Sequence, residues 1–122
     1  MDTPKIYDSE YRFCQILWDH EPVSSGELVR LCQQELNWKK STIYTVIKRL
    51  TERGIVKTEH AVVSSLVSRQ QVQQQESRAF VQRAFGGSLP GFLAAFTGGR
   101  RLTEEEAAQL RRLIDEYEEG CT

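Results

Sequence analysis

Cysteine and histidine are scarce in this sequence, and their spacing does not fit a metal site or a disulfide framework. The 122 residues include three cysteines, Cys14, Cys32 and Cys121, with no CxxC pair. The two histidines, His20 and His60, lie in separate predicted elements. Metal ligands and disulfide partners recur at short, characteristic spacings. We therefore expect no metal, no cofactor and reduced thiols, with Cys14 and Cys32 as small core residues and Cys121 in a tail.

Long apolar runs and catalytic motifs are also absent. No stretch approaches the ~18 apolar residues of a membrane span, and the start of the chain, MDTPKIYDSE, lacks the pattern of a secretory signal. We therefore expect a cytoplasmic protein with no membrane partner. The sequence contains no nucleophile elbow, phosphate-binding glycine loop or HExxH motif, so nothing in it indicates an enzyme.

Net charge is close to zero, but the charges are unevenly distributed. The formal net charge of −1 combines a basic segment with an acidic one. Residues 37–57 carry six basic side chains and one acidic side chain, whereas residues 103–122 carry two basic and seven acidic ones. The local charges are therefore +5 and −5. A local basic patch is what binding to a polyanion requires, and the acidic end would be repelled from that polyanion.

Three pairs of residues have the spacing of a helix-capping box, in which the side chains at the N-cap and three residues later bond to each other's backbone. These pairs are Ser24 with Glu27, Ser68 with Gln71, and Thr103 with Glu106. Each pair predicts the start of a helix. Asp8 is placed to cap an earlier helix that runs to about His20 and is ended by Pro22.

The stretch KKSTIYTVIKRLTERG, residues 39–54, predicts an amphipathic helix. Its apolar residues have the i, i+3, i+4, i+7 spacing of one buried helix face. They are Ile43, Val46, Ile47 and Leu50. Gly54 suits the position after the helix, because glycine tolerates a positive φ. The following IVKTEHAVVSSLV is rich in β-branched residues and is interrupted by Glu59-His60, which predicts a two-stranded hairpin.

The order helix, helix, helix, hairpin is that of a winged helix-turn-helix, and it predicts a DNA-binding domain over residues 1–68 of a mainly α protein. The third helix would read base edges through Thr42, Tyr44, Thr45 and Lys48. Phosphate contacts are expected from Lys39, Lys40, Ser41 and Arg49, with Lys57 in the wing. The segment alone also fits an ordinary amphipathic surface helix.

Residues 69–122 are predicted to form three short helices, each with one apolar side. The first ends at Gly86-Gly87, SLPGFLAAF forms the second, and the third follows TGGR. Because helices this short cannot bury their apolar sides well alone, we expect a homodimer, with this region as the dimerisation domain. The expected contact residues are Phe80, Ala84, Phe85, Leu89, Phe92, Leu93, Leu110, Ile114 and Tyr117.

Four segments occur in the order typical of a known family: ILWDHEPVSSGEL, NWKKSTIYTVIKRLTERGIV, LVSRQQ and AFGGSLPGFLAAF. Over roughly residues 6–118 the sequence resembles the penicillinase-repressor family, of BlaI, MecI and CopY type. The resemblance implies a dimeric winged-helix transcriptional repressor with a double-stranded DNA operator as its partner. It places Ser41 to Arg49 on the DNA-reading helix and the helices after Ser68 in the dimer module.

The sequence departs from this family in three places. In antibiotic-responsive members a membrane-bound sensor metalloprotease cuts an Asn-Phe bond, and the matching residues here are Ala95 and Phe96, so the asparagine is missing. Copper-responsive members carry paired Cys-x-Cys motifs, which Cys121 alone cannot supply. The wing KTEHAVV has few basic residues, so we expect it to bind DNA weakly.

Two other functions fit the same residues. One is an adaptor whose basic helix face binds an acidic partner protein. The other is a winged-helix regulator of another type, which senses a small ligand in its C-terminal region. Sequence-specific DNA binding at physiological salt separates the repressor from the adaptor, and a small molecule buried in the dimer module would favour the ligand sensor.

Overall fold

The computed structural model describes residues 3–118, and the chain divides into two compact units, Met1–Ser77 and Arg78–Thr122. The first unit contains α1 (Asp8–His20), β1 (Val23–Ser24), α2 (Ser25–Leu36), α3 (Lys40–Glu52), β2 (Val56–Glu59), β3 (Val62–Ser65) and the start of α4 (Arg69–Phe85). The second contains the end of α4, α5 (Leu89–Thr97) and α6 (Glu104–Tyr117). The predicted mainly α fold with a small sheet is confirmed. Within residues 3–118, none of the helices has the length and apolar character that a membrane crossing requires.

The sheet has three antiparallel strands in the order β1-β3-β2, so the predicted two-stranded hairpin is incomplete. β2 pairs with β3 across the turn His60–Ala61, as expected. The additional strand is β1, in which Val23 pairs with Val63 and Ser24 pairs with Val62. A strand of two residues is too short to show an alternating pattern, which is why the sequence did not predict it.

Two of the three predicted capping boxes form completely, and one forms only in half. The complete ones are Ser68 with Gln71 and Thr103 with Glu106. Ser24 caps α2 by accepting the Glu27 N–H at 3.1 Å. The Glu27 carboxylate does not bond back to Ser24, because it pairs with Arg30 at 2.5 Å. The Arg30 guanidinium holds the pKa of this carboxyl below its usual value.

An ion pair between a buried carboxylate and a partly exposed guanidinium joins the start of α1 to the end of α3. The N-cap of α1 is Tyr7, not the predicted Asp8, and the Glu10 carboxylate accepts the Tyr7 N–H at 3.1 Å. The other Glu10 oxygen lies 2.7 Å from Arg53 Nη1, and Arg53 also donates to the Lys5 carbonyl. Because a buried carboxylate requires a cation and hydrogen-bond donors, this pair holds the end of α3 against α1.

Apolar side chains from α1, α2, α3 and the sheet form the core of the first unit. The fully buried side chains include Phe13, Leu17, Leu28, Ile43, Leu50, Ile55 and Val63. Cys14 and Cys32 are buried here, as predicted. Burial raises the pKa of the Cys14 thiol to about 12 and that of the Cys32 thiol to about 11, so both are protonated at neutral pH. Cys121 lies outside the described residues.

The second unit is much less buried than the first. No side chain of α5 or α6 is buried within the chain. Four phenylalanine rings form a small cluster in which the Phe92 centroid lies 6.0 Å from Phe80, 5.6 Å from Phe85 and 5.8 Å from Phe96. A cluster of this size leaves most of the apolar surface of the three helices in contact with solvent.

Candidate nucleic-acid interface

The chain before α3 sets where this helix begins. α2 ends at Leu36, and its C-cap is Asn37, whose left-handed backbone (φ 60°) is one that asparagine tolerates better than most residues. Trp38 packs against the core, and Lys39 is the N-cap of α3. Lys39 provides no side-chain cap, and the first turn of α3 contains no acidic residue. The first backbone N–H groups of α3 therefore remain available to an anion beside Lys39 and Lys40.

The buried and exposed sides of α3 are clearly separated. The four buried residues are the predicted apolar stripe, Ile43, Val46, Ile47 and Leu50. The exposed residues on this helix include Ser41, Thr42, Tyr44, Thr45, Lys48 and Arg49. At about 100° of rotation per residue, these six side chains cover an arc of about 160° opposite the buried stripe. Ser41, Thr45 and Lys48 lie near the centre of that arc.

The Thr45 hydroxyl is already used within the helix. Thr45 Oγ1 donates to the Ser41 carbonyl at 2.9 Å. The side chain consequently presents its methyl group and an acceptor lone pair to solvent, not a free donor. Sequence reasoning assigned this residue to base contacts without this restriction on its hydrogen bonding.

The basic charge of residues 37–57 is only partly available to a ligand. The Arg53 guanidinium forms an ion pair with the Glu10 carboxylate at 2.7 Å, and the Lys57 ammonium forms one with the Glu59 carboxylate at 3.3 Å. No ion pair within residues 3–118 involves the other four cations of this segment. Those four are Lys39, Lys40, Lys48 and Arg49, all exposed on α3 or at its start.

The wing is short and nearly neutral. Its turn consists of His60 and Ala61, both with positive φ, at 52° and 62°. Lys57 and Glu59 lie on the same face of β2, where alternate residues of a strand project together. The single basic residue predicted to contact DNA from the wing therefore lies beside a carboxylate in an exposed ion pair.

The residues predicted for dimerisation lie on α4, α5 and α6 of the second unit. Those whose side chains are most exposed are Phe80 at 41%, Leu89 at 57%, Ile114 at 57% and Tyr117 at 71%. Phe92, Leu93 and Leu110 instead line an apolar groove of about 500 Å³ between α5 and α6. Ala84 is also exposed, and Phe85 is half-buried.

Ala95 and Phe96 lie in the last turns of α5. Both side chains are exposed, and the Ala95 carbonyl accepts the Gly98 N–H at 3.3 Å. Proteases generally bind their substrates as extended chains, so cutting here requires the end of α5 to open first. The sequence indicated the position of this segment but not that it is helical in the intact fold.

The first unit is a winged helix-turn-helix. It has three helices and a small three-stranded sheet, and the third helix has a polar exposed side opposite its buried apolar stripe. The family model described as penicillinase repressor matches residues 6–116. The chain therefore belongs to the penicillinase repressor family of transcriptional repressors. The predicted family resemblance is confirmed.

Individual relatives are distant but similar along nearly their whole length. The methicillin resistance regulatory protein MecI of Staphylococcus aureus strain Mu50 is 24% identical over 117 residues, which cover 93% of this chain and 95% of that protein. The penicillinase repressor of Bacillus licheniformis is 22% identical over 118 residues, covering 93% and 92%. An uncharacterized 16.5 kDa protein of Latilactobacillus sakei is 27% identical over 117 residues, covering 93% and 80%.

Proposed function

We propose that this protein is a homodimeric repressor that binds a pseudo-palindromic DNA operator and blocks transcription. The observation that carries the proposal is the exposed polar arc of α3, with Lys48 and Arg49, together with Lys39 and Lys40 at the start of the helix; within residues 3–118 none of these four cations makes an ion pair. In this proposal residues 1–68 bind DNA and residues 69–122 dimerise the protein. The names of the relatives, MecI and penicillinase repressor, agree with a role in antibiotic resistance.

Each α3 would lie in the major groove of one half-site, with the two half-sites about 34 Å apart. Base edges would be contacted by Thr42, Tyr44, Thr45 and Lys48. The methyl group of Thr45 suits an apolar contact with thymine, because its hydroxyl already donates to Ser41. Phosphates would be bound by Lys39, Lys40 and Ser41 near the uncapped start of α3, and by Arg49 in its last turn.

Replacing Lys48 by alanine is expected to weaken operator binding by about 1–3 kcal/mol if this side chain reads a base. The loss should be largest for the preferred operator. Lys39→Ala should instead weaken binding to all sequences alike. It should also lower the salt slope, the slope of log affinity against log salt concentration, by about one. Fluorescence anisotropy with a labelled duplex from upstream of the gene, measured over a series of salt concentrations, gives both quantities.

Arg12→Ala is the matched control, since Arg12 is an exposed cation on α1 outside the polar arc of α3. It should leave affinity and salt slope near the wild-type values. A wild-type salt slope of zero would exclude DNA binding and favour the adaptor, because neutralising phosphates must release counterions.

One substitution in the wing is expected to strengthen DNA binding, whereas the substitutions on α3 weaken it. Replacing Glu59 by glutamine is expected to strengthen DNA binding, because it removes the negative charge that lies 3.3 Å from Lys57. The gain should be a few-fold, should fall with added salt and should not depend on sequence. Lys57→Ala should change affinity little by itself. A Glu59→Gln variant that binds no better than wild type would place the wing away from the phosphates.

Dimerisation is supported by the weak burial of the second unit, in which Leu89, Ile114 and Tyr117 are all more than half exposed. A second copy of the chain would cover these side chains. Tethering two DNA-binding units raises the effective concentration of the second one at its half-site. Loss of the dimer would therefore release the operator without changing any residue that contacts DNA.

Derepression would follow from cutting or loosening this second unit. Phe96 is 59% exposed and Gly98 and Gly99 follow α5 directly, which supports access by a protease once the helix end opens. The partner that such induction needs is a sensor protease. A gene for a membrane metalloprotease beside this gene would support it, whereas a repressor that keeps its intact mass during induction would exclude cleavage between Ala95 and Phe96.

The groove between α5 and α6 supports a second candidate, a regulator that binds a small apolar ligand. Its lining includes Phe92, Phe96 and Leu113 together with the polar side chains of Glu106 and Gln109. A large apolar pocket with few polar groups is typical of small-molecule sites. A dimer crystal structure separates the two functions, because a partner helix would fill the groove in one case and a bound ligand in the other.

A further inference from the structure

The first residue of α4 is bound to α1 by contacts that lie outside the polar arc of α3. Arg69 Nη2 donates to the Asp19 carboxylate at 2.6 Å and to the Gln15 carbonyl at 3.3 Å. Arg69 Nε donates to Gln15 Oε1 at 3.1 Å, and the guanidinium lies 5.5 Å from the Trp18 ring centroid. These three residues of α1 lie on one face of that helix, at the spacing i, i+3, i+4.

The segment between β3 and α4 is held to the same part of the chain. The Trp18 indole N–H donates to the Val67 carbonyl at 3.0 Å. The Glu21 carboxylate accepts both the Ser65 N–H at 2.6 Å and the Ser65 hydroxyl at 2.8 Å. Val67 and Val72 are buried in the core of the first unit. The start of α4 is therefore held in one direction by several contacts within this unit.

A tether that only joins two functional regions has no need of such contacts. A flexible linker already raises the effective concentration of a second binding unit. Here the long side chain of Arg69 is instead immobilised by two polar residues and an aromatic ring, which costs conformational entropy. Contacts of this kind are typical where a defined geometry is required.

We propose that Arg69 is a positioning residue that, through Asp19, Gln15 and Trp18, fixes the direction of α4 and so restricts the dimer to one spacing between operator half-sites. This inference rests on the proposed function, because spacing matters only to a protein that binds two half-sites at once. Each base pair added between half-sites moves the second one by about 3.4 Å and rotates it by about 34°. A fixed α4 tolerates such a change poorly, whereas a loosened α4 tolerates it well.

The test begins with the half-site that the wild-type dimer selects from a pool of random-sequence duplexes. Labelled duplexes then carry two inverted copies of that half-site at the selected spacing and at spacings altered by one or two base pairs. For Arg69→Ala, the preference for the selected spacing should fall about tenfold. Affinity for a duplex with a single half-site should stay within about twofold of wild type, because α3 is unchanged.

Three further variants keep the result independent of folding defects. Asp19→Asn removes the ion pair at a side chain that is 57% exposed, and it should broaden the spacing preference in the same direction. Arg69→Lys should restore part of the preference, because lysine reaches Asp19 but cannot also bond Gln15 in the same way. Arg78→Ala removes an exposed arginine from the same helix and should change nothing.

The outcomes separate this inference from the function on which it rests. A wild-type dimer that selects no DNA sequence would exclude both. If the wild type selects one spacing, and Arg69→Ala and Asp19→Asn both keep that preference unchanged, only the positioning role is excluded. A fall in stability with no change in spacing preference would also overturn it, because that result is what a merely structural contact predicts.

Discussion

Replacing Ile114 by aspartate is expected to convert the dimer into a monomer and to lower affinity for the full operator by about 10²–10⁴-fold. The Ile114 side chain is 57% exposed within its own chain, so the substitution removes little packing there. In an interface with a second copy, the new carboxylate would be buried without a partner. The loss of affinity follows because each monomer must then bind its half-site independently.

Sedimentation velocity and fluorescence anisotropy measure the two effects separately. Ala108→Asp is the matched control, because it adds the same charge to α6 at an exposed position between Glu105 and Arg112 on the polar side of the helix. This variant should remain dimeric and should bind the operator like wild type. If Ile114→Asp did the same, α6 would not belong to the dimer interface.

Replacing Arg53 by alanine is expected to lower the free energy of unfolding by about 3 kcal/mol. The Glu10 side chain is 4% exposed, and its carboxylate would lose the cation that lies 2.7 Å away. Removing one partner of a buried pair leaves an uncompensated charge in the protein interior, which costs more than the pair itself contributes. The effect is large compared with a total stability of about 5–15 kcal/mol.

Urea unfolding followed by circular dichroism gives this quantity. Lys57→Ala is the control, because its pair with Glu59 has side chains that are 49% and 67% exposed, and solvent screens such pairs. Combining Arg53→Ala with Glu10→Gln should recover part of the loss, since no charge then remains buried. Equal losses for Arg53→Ala and Lys57→Ala would show that the buried pair has no special role.

Much of the fold could be predicted from local patterns. The stripe from Ile43 to Leu50 is buried as its spacing predicted, and Gly54 has the predicted positive φ of 74°. β1 was missed because it consists of two residues, Val23–Ser24, and becomes a strand only by pairing with β3. In the Ser24 capping box, the hydrogen bond from the Ser24 N–H to the Glu27 carboxylate does not form. Glu27 instead pairs with Arg30, one turn further along α2.

The candidate DNA-binding site was predictable as a list of exposed residues but not in its electrostatics. The sequence counts Arg53 and Lys57 among the basic residues of the patch. In the folded chain Arg53 pairs with Glu10, and Lys57 pairs with Glu59. The remaining positive charge of this segment is therefore concentrated on α3 and at its start. The restricted hydrogen bonding of Thr45 likewise depends on the helical backbone that places the Ser41 carbonyl beside it.

By itself, the sequence determined which side of α3 is buried and which side faces solvent, because helix periodicity and side-chain polarity are properties of neighbouring residues. The tertiary structure decided which cations of residues 37–57 form ion pairs within the described part of the chain and how the start of α4 is held. Glu10 lies 43 residues before Arg53, and Asp19 lies 50 residues before Arg69. No local pattern brings such partners together, since their contact exists only once the helices have packed.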